Sequence, residues 1–216
     1  GQQATTTTSF APSSMPVNMQ IQLTLTPDMK FELPMDFGQL SANLQAAGQG
    51  NMELRMQPYS QPLITGNYEL TSGQVQLDFL SFLSTSFTID AGSSLQMPGN
   101  INNATFNIQA SRTTHANMAS LLGSESAARS VNVENVIILS GNLQNPHVAL
   151  DFRLPNAEKG LEDEIAMYID RTDEREVFTQ SMSLLLTGQF APTASSQNST
   201  SLDNASASGY KVSPKR

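Results

Sequence analysis

Apolar residues in this chain recur at every second position, segment after segment. Met19, Ile21, Leu23 and Leu25 alternate with Gln20, Gln22 and Thr24, continuing the pattern that Val17 opens. A strand points successive side chains to opposite faces, so this period builds surfaces that are apolar on one side and wet on the other. The same alternation runs through Phe31 and Leu33, through Leu40 to Ala46, and through Met52, Leu54 and Met56. It returns at Tyr68 and Leu70, at Val75 to Phe79, at Phe106 to Ala110, and at Val148 to Leu154. Val131–Leu139 is a further strand candidate. Gly48-Gln49-Gly50 and Thr71-Ser72-Gly73 read as turns between strands, and Ser86–Gly99 (SFTIDAGSSLQMPG) reads as one hairpin about a Gly-Ser turn. The alternation slips at Leu80-Ser81-Phe82-Leu83, which predicts a bulge or bend.

The pattern changes at Pro155. Leu161, Ile165, Tyr168 and Ile169 fall on one face of a helix, with Glu162, Asp163 and Glu164 in its first turns. Asp173 and Glu176 resemble a capping box for a second helix. Val177, Phe178, Met182, Leu185 and Leu186 would form its apolar face, and Gly188 its C-terminal cap. His115 to Ala128 is read as a loop or a short helix. The resulting organisation is a linker over 1–16, a sheet domain over 17–155, a helical segment over 156–190 and a disordered tail over 191–216. Gly1, followed by Gln2-Gln3-Ala4 and a Thr run, reads as the start of a piece cut from a longer protein.

Composition narrows the function. Among 216 residues only 14% are charged, so Gln, Asn, Ser and Thr supply most of the polar surface. The net charge of -8 argues against nucleic acid as a partner, because phosphate binding needs clustered Lys and Arg. There is no cysteine, hence no disulfide, thiol nucleophile or Cys-based metal site. No apolar run approaches the ~18 residues of a membrane-spanning helix. His115 and His147, the two histidines, have no recognisable ligand spacing, and no nucleophile elbow, phosphate loop or dinucleotide fingerprint occurs. Neither an enzyme nor a cofactor nor a metal is expected. The acidic run from Glu158 to Glu176 is interleaved with Lys159, Arg171 and Arg175 and reads as a solvated helix face. The sequons at Asn103, Asn198 and Asn204 are short patterns common in an Asn/Ser-rich chain.

Alternation alone fits two architectures. One is a β-sandwich or barrel whose faces meet in a core, the commoner arrangement. The other is an open curved sheet whose apolar face lines a groove. As a secreted or surface sandwich the chain would bind protein or glycan, although it has no Trp to stack on sugars.

Ile64–Ala110 (ITGNYELTSGQVQLDFLSFLSTSFTIDAGSSLQMPGNINNATFNIQA) resembles the C-terminal region of the TamB family. The matching positions are Gly66-Asn67-Tyr68, Gly73, Phe79, Phe87 and Ile89, Gly92, Leu95, and Ile108-Gln109-Ala110. A second stretch matches through Gly141, Leu143, Pro146, Leu150 and Pro155, although Arg153 stands where the family has a small residue. The ending SLLLTGQF resembles the family's helical terminus.

The resemblance implies an all-β fold: a long, curved, taco-like sheet of antiparallel type with an apolar concave face, plus short C-terminal helices. It implies a periplasm-spanning protein, anchored in the inner membrane of a diderm bacterium, that meets an outer-membrane barrel of the Omp85 type. Such proteins guide phospholipid acyl chains between the two membranes or support outer-membrane protein assembly. The groove lining would then be Ile21, Leu23, Leu44, Leu54, Leu77, Phe87, Ile89, Phe106, Ile108, Leu150 and Phe152.

Overall fold

The computed structural model describes residues 17–123, 130–155 and 159–193. The expected linker, most of the expected tail and the sequons at Asn198 and Asn204 lie outside the described residues. Nine strands belong to one sheet: β1 (Met19–Leu25), β2 (Lys30–Asp36), β3 (Leu40–Met56), β4 (Leu63–Phe79), β5 (Leu83–Ile89), β6 (Ser94–Gly99), β7 (Thr105–Asn117), β8 (Ser130–Asn142) and β9 (Pro146–Arg153). Its order is β1-β3-β4-β5-β7-β8-β9, with β2 also paired to β3, and β6 paired to both β4 and β7. The chain is thus mostly β, in one antiparallel sheet rather than the two of a sandwich. Among the described residues the helices are short: α1 (Ala119–Leu122), α2 (Lys159–Ala166) and α3 (Glu174–Thr187), with a 3-10 turn at Ile101–Asn103.

Two of the turns expected from glycine are not turns. β3 runs unbroken through Gly48 and Gly50, and β4 through Thr71-Ser72-Gly73. In β4, Thr71 and Ser72 are both exposed, so the inward set passes from Tyr68 and Leu70 to Val75 and Leu77. This is a shift of phase within one strand. The glycines serve close approach between neighbours. A Cβ at Gly48 would lie 2.1 Å from the Glu69 carbonyl oxygen, and one at Gly66 2.3 Å from that of Asn51. Gly66 also holds φ +141°, a conformation reserved for glycine.

The expected hairpin at Ser86–Gly99 is also corrected. β5 and β6 do not fold back on each other; both lie in one lane between β4 and β7. Asp90–Ser93 interrupts that lane, and its backbone is kept satisfied. The Leu70 N–H donates to the Ser93 carbonyl (2.9 Å), the Gln109 N–H to Ser93 Oγ (3.1 Å), and the Asp90 N–H to the Gln109 carbonyl (2.8 Å). β1 and β2 likewise share the edge lane on β3, separated by the turn Thr26–Met29. That break faces Gly48 and Gln49, since Leu25 pairs with Gly50 and Lys30 with Ala47. Both lanes therefore break beside the glycine-bearing stretch of β3 and β4.

Proline falls where the ladder can spare a donor. Pro34 sits on the edge lane, and Pro98 lies past the end of the β6–β7 register at Gln96↔Thr105. At Leu80–Phe82 the slip in alternation is a tight turn joining β4 to β5, closed by the Phe82 N–H on the Phe79 carbonyl (3.0 Å).

The chain divides into two compact units. Among the described residues, one comprises 17–77, 88–110 and 139–148, the other 78–87, 111–123, 130–138, 149–155 and 159–193. The described α-helices, α1, α2 and α3, belong to the second. Asp173 caps α3 by accepting from the N–H groups of Arg175 and Glu176. Gly188 ends it with φ +71° and an N–H on the Leu184 carbonyl (3.0 Å). α2 stops at Ala166, so Tyr168 and Ile169 lie just past it, yet Ile169 is still buried. On α3 the buried positions are Val177, Gln180, Ser181, Met182 and Leu184, whereas Leu186 faces solvent. Polar Gln180 and Ser181 hid this face from a reading based on apolar residues alone.

The glycine argument yields a comparison. Gly48→Ala should cost about 2–4 kcal/mol, because backbone rather than a movable side chain occupies the Cβ position. Gly92→Ala, with φ +89° but nothing within 4 Å, should cost only about 1 kcal/mol. Urea unfolding of both variants decides: equal losses would show that close approach is not what Gly48 provides.

Candidate functional site

In the first unit the apolar face can be traced by register. Opposed residues of paired strands point the same way. Met19 opposes Met56, Ile21 opposes Leu54 and Leu23 opposes Met52, while Leu33 opposes Leu44. Across β6, Tyr68 opposes Leu95, and Leu95 opposes Phe106. The Tyr68 ring lies over Gly48 and meets Phe31 edge-on, with centroids 5.5 Å apart, tying these groups into one face. Glycine leaves a bare patch on a strand, and the aromatic ring covers it. Burial pushes the Tyr68 phenol above its ordinary pKa, with a backbone hydrogen bond at Gly48 working against the shift.

The opposite face is a ladder of polar pairs. Gln22 Nε2 donates to Glu53 (2.7 Å), Asn43 to Glu32 (2.6 Å) and Thr24 to Asn51 (3.3 Å). The Gln22 bond, joined by Arg55 at 2.8 Å, holds the Glu53 carboxyl below the usual carboxylate range.

Exposure along the apolar face is graded. Leu44, Leu77 and Ile108 are fully buried, with Phe106 close behind. Among the described residues this unit has no α-helix. Toward β1 the cover thins. Ile21, Leu54, Met56 and Ile64 are half-buried, Leu23 is 37% exposed and Met19 41%. Ile89 is half-buried as well. The result is an apolar surface, closed around Leu44 and open along its edge strand, with no charged side chain among the residues traced on it.

The second unit handles its apolar face differently. Phe87, Leu150 and Phe152 are buried. Phe152 belongs to a core with Val133, Ile165, Ile169, Val177, Leu184 and Phe190, so α2 and α3 supply its cover. The Phe190 ring meets Phe152 edge-on at 5.2 Å. Arg171 stands 3.9 Å over the Phe152 ring and donates to the Phe152 carbonyl (2.6 Å) and to Asp151 (3.0 Å). Gln180 holds the segment after α3 by both amide atoms, accepting from the Ala191 N–H (2.8 Å) and donating to the Ala191 carbonyl (3.0 Å). Ser120 adds a bond to the Phe190 carbonyl (2.7 Å). Sequence reasoning missed Phe190, because an isolated aromatic after a helix carries no periodic signal.

Among the described residues no three of His, Cys, Asp or Glu come together as a metal cluster. No described helix is long and apolar enough to cross a membrane.

The core around Phe152 has a measurable consequence. Phe190→Ala should lower stability by about 3–4 kcal/mol. A double-mutant cycle with Phe152→Ala should return a coupling of about 0.5–1.5 kcal/mol for the ring pair. A loss below about 1 kcal/mol for Phe190→Ala would mean that the ring does not seal this core in solution.

Comparison with known proteins gives one match. The family model described as the TamB C-terminal domain covers residues 1–212. No curated protein and no solved structure matches the chain.

Proposed function

We propose that this chain, which belongs to the TamB family, lends the apolar face of its first unit to phospholipid acyl chains. The observation that carries the reading is the graded exposure of that face, buried at Leu44 and open at Leu23 and Met19. A soluble protein rarely leaves contiguous apolar surface without something to cover it. Burial in hydrocarbon-like surroundings gains about 0.8 kcal/mol per CH₂, so a ~16-carbon chain gains up to roughly 12 kcal/mol when fully lined. A conduit must also release its cargo. Leu, Ile and Met side chains along the open part of the face offer several similar positions and no charged anchor to trap a lipid.

In this reading Ile21, Leu23, Leu54 and Ile89 touch the acyl chain. Leu44, Leu77, Phe106 and Ile108 are buried and support the open part of the face from within. Phe87, Leu150 and Phe152 serve as packing in the second unit, with the helices over Phe152 closing the apolar surface there. The setting we propose is the periplasm of a diderm bacterium. The full-length protein would be anchored in the inner membrane, an Omp85-type barrel would be the outer-membrane partner, and the cargo would pass between the two membranes. Support of outer-membrane protein assembly would use the same apolar face, offered to an unfolded strand instead of a lipid.

Leu23 allows the test, because its exposure lets a charge there reach water. Leu23→Glu should leave thermal unfolding within about 2 °C of the parent, since exposed substitutions change stability little. It should strip co-purifying phospholipid from the chain as read by native mass spectrometry. Gln20→Glu, on the opposite face and opposed to Arg55, should strip none. A photo-crosslinker at Leu54 should capture lipid in cells. Absence of lipid from the parent chain and from the Leu54 crosslink together would sink the reading.

A further inference from the structure

The turn between β4 and β5 combines two unfavourable features. Leu80, its first central residue, has φ +48°, and Ser81 is not among the positive-φ residues, which is the φ pattern of a type II′ turn. That position suits glycine; a leucine Cβ resists it. The side chains held there then face water, Leu80 being 59% exposed and Phe82 72%. Neither cost is repaid by packing within the described structure, and strain kept at an exposed tip points to a function for the tip. The surroundings are nearly uncharged: from Leu70 to Ile89 the only ionisable side chain is Asp78.

We propose that this turn is a membrane-contacting tip that dips Leu80 and Phe82 into the interface of a zwitterionic phospholipid surface. Two side chains are too few for a protein partner, which needs about 800 Å² on each side. Tyr, Trp and Arg, the usual anchors of protein interfaces, are absent from the turn. A lipid surface accepts isolated apolar side chains and needs no shape match. The lack of Lys or Arg near the tip, with a net charge of -8 for the chain, selects against anionic headgroups. The tip uses none of the residues assigned to the acyl-chain face, so the two readings stand or fall separately.

The chain contains no tryptophan, so Phe82→Trp places a single reporter at the tip. With the 216-residue chain and phosphatidylcholine–phosphatidylethanolamine vesicles, its emission should shift to the blue and be quenched by brominated acyl chains. Adding Leu23→Glu should leave that quenching intact. The double variant Leu80→Ser, Phe82→Ser should lose vesicle co-sedimentation at least about tenfold while its circular dichroism and melting stay those of the parent. Leu80→Gly should melt about 2–4 °C higher by relieving the left-handed strain and bind vesicles more weakly than the parent. An unshifted reporter in the presence of vesicles, undiminished co-sedimentation of the double variant, or preference for anionic vesicles would each overturn the proposal.

Discussion

The structure depends on the obligation of a two-sided strand to hide one side. Every strand of the sheet is apolar on one face, and hydrogen bonding along the ladder does nothing to cover that face. The chain meets the obligation in two ways. In the second unit, α2, α3 and Phe190 close over Phe152, and Gln180 and Ser120 strap the last segment in place by hydrogen bonds to its backbone. In the first unit, which has no α-helix among the described residues, the apolar face is buried completely at Leu44 and Ile108 and incompletely at Met19 and Leu23. Incomplete cover is a cost in a finished globular core, and the acyl-chain role proposed for this face would use it.

Glycine ties the ladder to this arrangement. β3 and β4 are each 17 residues long and carry glycines where the other backbone comes close. Tyr68 lies over Gly48 and so restores apolar cover at the point where β3 lacks a side chain. The neighbouring lanes break beside this stretch, at Thr26–Met29 and Asp90–Ser93. In the second break the Ser93 hydroxyl and carbonyl satisfy strands on both sides. Interruption of a lane therefore leaves few unpaired backbone groups, which allows a long sheet to depart from regular pairing without a large penalty.

Much of the fold was legible in the sequence. Alternation located eight of the nine described strands, with β3 and β4 each read as two pieces and β8 entered only as a strand candidate, and the Asp173 and Gly188 caps of α3 stood in plain view. These signals are local: side-chain period and cap geometry depend on residues within one turn or one strand. The candidate site was half legible. Each lining position could be assigned to the apolar set, and Leu44, Phe106 and Ile108 are as buried as their pattern suggests. That Leu23 is open while Phe152 sits beneath helices could not be seen, because Leu23 and Phe152 obey the same alternation.

The sequence by itself determined which residues of each strand are apolar, that the strand pattern gives way at Pro155, and where α3 is capped. Those properties follow from covalent geometry and from contacts between near neighbours in the chain. Tertiary structure alone decided what each glycine does, because the same residue serves a turn or a close approach according to what stands across from it. It decided that β5 and β6 share a lane instead of forming a hairpin, since lane sharing depends on the lengths of β4 and β7. It also decided which part of the apolar surface stays open. Burial is a property of what packs against a residue, and for Leu23, Phe152 and Leu80 those partners, or their absence, are set by pairings far along the chain.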